Sequence, residues 1–151
     1  MENTNIDILL TNNTVNIINK AVDILTRNLL LIISEPYVFI GNYNDNFDNC
    51  STVTLTSGLD PELTLCNGVA VWQPKIQIRV RDDKYDDGYN RCLRIITKLN
   101  DQSYDYGHFT YIFYLMTDIL SLGKDRKNRS EFTLNFRLQV LGEWILWFRY
   151  S

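Results

Sequence analysis

Pro74 to Asn100 reads PKIQIRVRDDKYDDGYNRCLRIITKLN, and its periodicity changes once, near Arg81. Ile76, Ile78 and Val80 alternate with Gln77, Arg79 and Arg81, the period-two pattern of a strand with one buried and one polar face. Asp82 and Asp83 follow, and their carboxylates suit the free backbone N–H groups and positive dipole end of a starting helix. Tyr85, Tyr89, Cys92, Leu93, Ile96 and Leu99 then recur at helical spacing, with Asp86, Asp87, Arg91, Arg94 and Lys98 mostly on the other side. The unit is a strand running into an amphipathic helix that folds back over a sheet, with the tyrosines among the expected buried face.

Upstream, Val15, Ile18, Val22, Leu25, Leu29 and Ile32 step along one helix face behind polar candidate caps at Thr11 to Thr14. This predicts a helix from about Asn13 to Ile33, ended by Glu35 and Pro36, because the residue before a proline leaves helical dihedrals. Tyr37 to Ile40 is compatible with a short strand, and Gly41 to Asn49, GNYNDNFDN, is dense in turn formers and expected to be mobile. Ser51 to Thr56 alternates as a strand, and Ser57 to Asn67 holds Gly58 and Pro61 and is expected to be a loop back to Val69.

Downstream, Asp101 to Gly107 is expected to be a loop, and Phe109 to Met116 a strand apolar on both faces. Gly123 to Ser130 is the most basic stretch, with Lys124, Arg126, Lys127 and Arg129 around Asp125. Phe132, Leu134, Phe136, Leu138 and Val140 then alternate with Thr133, Asn135, Arg137 and Gln139, the cleanest strand pattern in the chain. Gly142 ends that strand, and the tail from Glu143 to Ser151 is unusually apolar, with Trp144, Trp147, Phe148 and Tyr150. The order of elements predicts one α+β domain, a mainly antiparallel sheet with two helices packed on one face.

A chain of 151 residues with formal net charge -3 suits a single domain with a real core. Its apolar runs, such as Leu29 to Ile33, are far too short to span a bilayer, so no membrane partner is expected. Glu2 and Asp7 stand where a signal peptide carries its basic region, and the chain is expected to stay in the cytoplasm that makes it. Cys50, Cys66 and Cys92 are an odd set, expected to be reduced. Asn12, Asn49 and Asn128 each begin an N-x-Ser/Thr triplet, discounted as glycosylation sites in an asparagine-rich chain without a secretion signal. The spread of the basic residues does not suit sequence-independent nucleic-acid binding, which needs a concentrated basic surface.

No catalytic residues emerge. His108 is the single histidine and no nucleophile motif surrounds it. The cysteines lack C-x-x-C spacing. Asp83, Tyr85, Asp87 and Gly88 imitate a calcium loop, but Tyr85 occupies a ligand position and Arg94 stands where the bidentate glutamate belongs. Asp82 and Asp83 are adjacent and point in different directions at a helix start, which does not suit paired acid/base work. No metal, cofactor or phosphate-binding motif is therefore expected. Two features are candidate partner surfaces. One is the basic turn, Lys124, Arg126, Lys127 and Arg129. The other is the polar sheet face of Thr52, Gln77, Arg79, Arg81, Asn135, Arg137 and Gln139.

Asp118 to Val140 reads DILSLGKDRKNRSEFTLNFRLQV and resembles the closing hairpin of bacteriophage minor capsid and tail-terminator proteins. In that family a P…IQIRVR strand and a tyrosine-containing helix precede an LG.D..GR..F..NF hairpin, and both parts stand here in that order. The resemblance covers the second half of the chain and departs from the pattern at Asn128, where the family has glycine. It implies a tail-terminator-like fold and a homo-oligomeric ring, commonly hexameric, that caps the tail tube and presents the surface for joining the head. The implied partners are the tail-tube protein and a neck or head-completion protein, with DNA passing passively through the lumen. The implied place is the head-proximal end of the virion tail, after assembly in the host cytoplasm. The alternative is a neck or completion protein whose basic turn faces DNA in the channel.

Overall fold

The structure is a computed structural model, and it describes residues 37–63, 69–106 and 109–143. The expected N-terminal helix, Cys66, His108 and the aromatic tail from Trp144 lie outside the described residues. Along the chain come β1 (Val38–Ile40), β2 (Cys50–Leu63), β3 (Val69–Asp82), α1 (Tyr85–Leu99), β4 (Ser103–Tyr106), β5 (Phe109–Leu115), β6 (Leu120–Lys124) and β7 (Ser130–Glu143). The strands form one sheet ordered β1-β2-β3-β7-β5-β4, with β6 also paired to β7, and it curls into a half-barrel. All described pairings are antiparallel except β1 with β2.

The two strands with the clearest alternation make the middle of the sheet. β3 and β7 pair from Val69↔Glu143 to Asp82↔Ser130, so Ile76, Ile78 and Val80 meet Phe136, Leu134 and Phe132 on one face. These six side chains are at most 1 % exposed. Their face is covered by Cys92, Ile95 and Leu99 of α1 and extended by Val53, Tyr111 and Phe113. Each such large apolar side chain contributes about 1.5–3 kcal/mol on full burial. The opposite face carries Gln77, Arg79, Asn135 and Arg137, half-buried as the alternation requires.

The helix presents a different face to the sheet than its tyrosines suggest. Gly88, Arg91, Cys92, Ile95 and Leu99 are buried, while Tyr85, Tyr89 and Leu93 stay exposed. Gly88 decides this, because a Cβ there would lie 2.7 Å from Phe132 Cε2 and 3.0 Å from Asp82 Cβ. The helix comes closest to the sheet at the residue with no side chain, and the two tyrosines bracket Phe132 at ring distances of 5.0 and 6.2 Å. Arg91 enters the interior because it finds partners there. Its guanidinium donates to Asp82 Oδ2 (3.2 Å), Ser51 Oγ (3.2 Å) and the Arg81 carbonyl (3.3 Å). Nor is the helix capped by the expected aspartate side chain. Asp82 belongs to β3 and accepts from the Lys84 N–H at 3.0 Å, and the capping position, Lys84, makes no side-chain cap bond.

Two expected loops are strands. β2 runs on to Leu63, with register shifts between Thr56 and Leu59 and between Leu59 and Glu62. Those irregularities absorb Gly58 and Pro61, since a bulge tolerates residues that a regular ladder does not. Ser103–Tyr106 forms edge strand β4, held to the helix end by the Tyr104 hydroxyl, which donates to the Lys98 carbonyl at 2.6 Å.

Candidate functional site

The basic turn between β6 and β7 is built by its one acid. Asp125 Oδ1 accepts from the N–H groups of Lys127 and Arg129, both at 2.9 Å. The Asp125 carbonyl accepts from Asn128, and the Asp125 N–H donates to the Arg129 carbonyl. Closing this loop puts Asn128 at φ 64, a left-handed conformation that glycine and then asparagine adopt most readily. The departure from the family's glycine at this position therefore keeps the backbone the turn needs.

Arg129 then folds inward. Its guanidinium lies 2.7 Å from Asp125, 2.9 Å from Asp45 and 3.3 Å from Asp48, so one buried cation, 4 % exposed, ties the turn to the 41–49 loop. Lys127 adds an exposed contact to Asp45 at 3.3 Å. Hydrogen bonds from Arg129 hold the Asp45 and Asp125 carboxyls below the usual range and raise the guanidinium of Arg129 itself.

A second buried arginine grips the same loop from below. Arg81 donates to the carbonyls of Asn44 (2.9 Å) and Phe47 (2.6 Å) and lies 3.6 Å from Asp45. Tyr43 covers the guanidinium groups of Arg81 and Arg79 at 4.5 and 5.0 Å, Phe47 stacks on Tyr37 at 4.3 Å, and Asn49 Oδ1 accepts from the Asp83 N–H. The segment expected to be mobile is thus tied down along its length. Its turn formers describe its shape correctly, but its acids and carbonyls are partners for arginines distant in sequence.

The candidate partner residues separate into two groups. Arg129 and Arg81, expected on an accessible surface, are instead buried and hold the loop in place. Thr52, read as part of the polar face, is also fully buried. Lys124 and Arg126 are exposed, and Lys127 keeps 59 % of its side chain exposed beside Asp45. Arg79 is half-buried, 3.7 Å from Glu131. Arg137 stands apart, over the Tyr114 ring at 5.1 Å. Asp45 and Asp48 were not singled out by sequence and Asp125 only as the one acid of the basic turn, although two acids in the asparagine-rich loop and four bases in the later turn are a charge match. The Asp82–Arg91 pair left no such trace, because helical spacing put Arg91 among the polar positions.

This end of the molecule can offer exposed cations from a rigid base, which suits contact with an anionic partner surface. Among the described residues no group of three His, Cys, Asp or Glu side chains is placed to hold a metal ion. Cys50 and Cys92 are buried free thiols, and burial pushes Cys92 up to about 12.

No curated protein sequence matches the chain. The solved virion of a native gene transfer agent (GTA) particle contains a chain of similar fold, with a TM-score of 0.53 and 13% identity over 76% of this chain and 85% of that one. The sequence also matches the family described as bacteriophage tail terminator protein over residues 10–141. Proteins of that family are structural parts of the phage virion, not a class of enzyme. With the central strand, the helix and the clasped turn all inside the matched region, the chain belongs to the bacteriophage tail terminator family.

Proposed function

We propose that the protein forms a ring, hexameric as is common in the family, that caps the tail tube at its head-proximal end and gives the head its joining surface. Its partners in this reading are further copies of itself, the tail-tube protein and a neck or head-completion protein, with DNA passing through the lumen without being recognised. Assembly takes place in the host cytoplasm. The observation that supports it is the clasp. Buried Arg129 and Arg81 fix two loops against one another, and Lys124, Arg126 and Lys127 project from that fixed base. Charges on a preorganised surface chiefly set partner choice and encounter rate. Arg79 and Arg137, half-buried on the sheet, belong to the same proposed surface only where a partner covers the polar face.

The alternative, a neck protein gripping DNA, needs a basic field. The two buried arginines here are met by carboxylates or carbonyls, and Asp45 and Asp48 are exposed in the same clasp, Asp45 beside Lys127, which weakens such a field. Head-to-tail joining in a complementation assay tests the reading. The Lys124→Ser, Arg126→Ser, Lys127→Ser triple variant is expected to fold normally by circular dichroism and to join heads to tails poorly. Wild-type particle yield would show that these charges are only solvated. Binding of the wild-type protein to duplex DNA that survives physiological salt, lost in the triple variant, would favour the neck reading instead.

A further inference from the structure

The two ends of the strand order at the hairpin side of the sheet are β1 and β6. Among the described residues β1 pairs only with β2, and β6 only with β7. Each therefore has a row of backbone groups on its outer side that no described strand takes up. Four of the large apolar residues that folding leaves exposed lie beside these rows. Ile40, at 56 %, and Tyr37 flank the β1 edge. Leu120, at 55 %, and Leu122 lie on β6. Tyr85 and Tyr89 of α1 bracket Phe132, the register partner of Ser121, and so stand on the other face of the sheet from Leu120, which pairs with Thr133.

The register adds a geometric fact. Val38, Ser51, Val80, Phe132 and Ser121 form one unbroken row across five strands, and Phe39, Thr52, Arg79, Thr133 and Leu120 form the next. The two free edges thus lie at the same height on opposite sides of the sheet. A contact between unlike patches of identical subunits builds a ring if it closes and a filament if each step also climbs. Edges at equal height involve no climb.

Resting on the ring reading above, we propose that neighbouring copies join edge to edge. The β6 edge of one copy, with Leu120 and Leu122, receives the β1 edge of the next. Repeating the chain about an axis along the strands sets β1 antiparallel to β6, and the curled sheet continues from subunit to subunit. Main-chain hydrogen bonds supply affinity in such strand addition, and the side chains beside them supply the register.

Cross-linking tests this in the full-length chain, with Cys66→Ser removing a thiol outside the buried pair. Phe39→Cys and Leu120→Cys, which share a row and a face of the sheet, are made in separate chains, mixed, and treated with a short bismaleimide. At roughly 4.8 Å per strand the two positions of one chain are about 19 Å apart along the sheet, so a short link reports a neighbour. The mixture is expected to give a covalent dimer and each variant alone none. The double variant is expected to give a ladder ending at the ring size. Rings visible by electron microscopy without cross-links in the mixture would overturn the edge contact and leave the ring standing. A protein that stays monomeric at high concentration would remove both. Links only between two Leu120→Cys chains, or only to the tail-tube protein, would assign the edge to another contact and overturn the proposal. As a second readout, Ile40→Lys and Leu120→Lys should each raise the concentration needed for assembly at least tenfold with little change in melting. A lowered melting temperature with unchanged assembly would mean that the chain covers these edges itself.

Discussion

Arg129 holds a full charge at 4 % exposure, tolerable because three carboxylates reach it. Breaking a fully buried ion pair costs about 3–5 kcal/mol. Here Asp45 and Asp48 keep 70 and 67 % of their side chains exposed and would be rehydrated, so Arg129→Ala should cost nearer 2 kcal/mol, the scale of a lost charged hydrogen bond. Arg126→Ala, on the same turn but exposed, should change stability by no more than about 0.5 kcal/mol. Urea denaturation compares the two, and equal effects would show that the clasp contributes nothing. The clasp also has a pH signature. Asp45 and Asp125 are lowered in the folded state, so their contribution is fully present above the unfolded carboxylate value, about 3.9, and is lost as pH falls through their lower folded values. The gap between wild type and Arg129→Ala should be flat near neutrality and narrow as the solution is taken below about pH 4. At the same scale, Phe136 and Arg137 are neighbours on opposite faces, the first fully buried. Phe136→Asp should unfold the domain by placing an uncompensated charge in its core, a cost comparable with the whole stability of a small domain. Arg137→Asp should leave it folded, and equal melting of the two would contradict the register of β7. That difference was legible in the sequence, because strict alternation leaves only one assignment of faces. Arg81 was not, since its position in the same alternation says polar and says nothing of a loop that covers it.

Elements were legible where their pattern was local and hidden where a distant partner decided. The cores of β3 and β7 and the body of α1 followed from periodicity alone. The helix face did not, because two tyrosines at helical spacing weigh more in a hydrophobic pattern than a glycine, while the sheet selects the position with no side chain. Gly88→Ala tests that argument. Alanine improves helix propensity by about 1 kcal/mol, but its Cβ would meet the fully buried Phe132 ring at 2.7 Å, and overpacking of this kind costs about 1–3 kcal/mol. A net loss of roughly 1 kcal/mol is expected in thermal or urea unfolding, and a stabilised variant would show that the helix can move away without loss. The extension of β2 through Gly58 and Pro61 and the pairing of Ser103–Tyr106 as β4 are hidden in the sequence for a related reason. Turn formers mark irregularity, and a bulged or edge strand is irregular while still being paired.

At the scale of the molecule, the curled sheet with a helix on one face resembles in fold a chain of the gene transfer agent virion, and the sequence belongs to the tail terminator family. The candidate surface was legible as a concentration of charge, but its division into buried anchors and exposed contacts was not, because that division depends on a loop some eighty residues upstream. The central claim is that many copies make a ring which seats on a tube end. Electron microscopy of the purified protein, alone and mixed with tail tubes, measures it directly. The account predicts closed rings of one size in solution or on the tubes, found at a single end of each tube, and fewer attached rings for the Lys124→Ser, Arg126→Ser, Lys127→Ser variant. A folded protein that stays monomeric at high concentration and leaves both tube ends bare would contradict it.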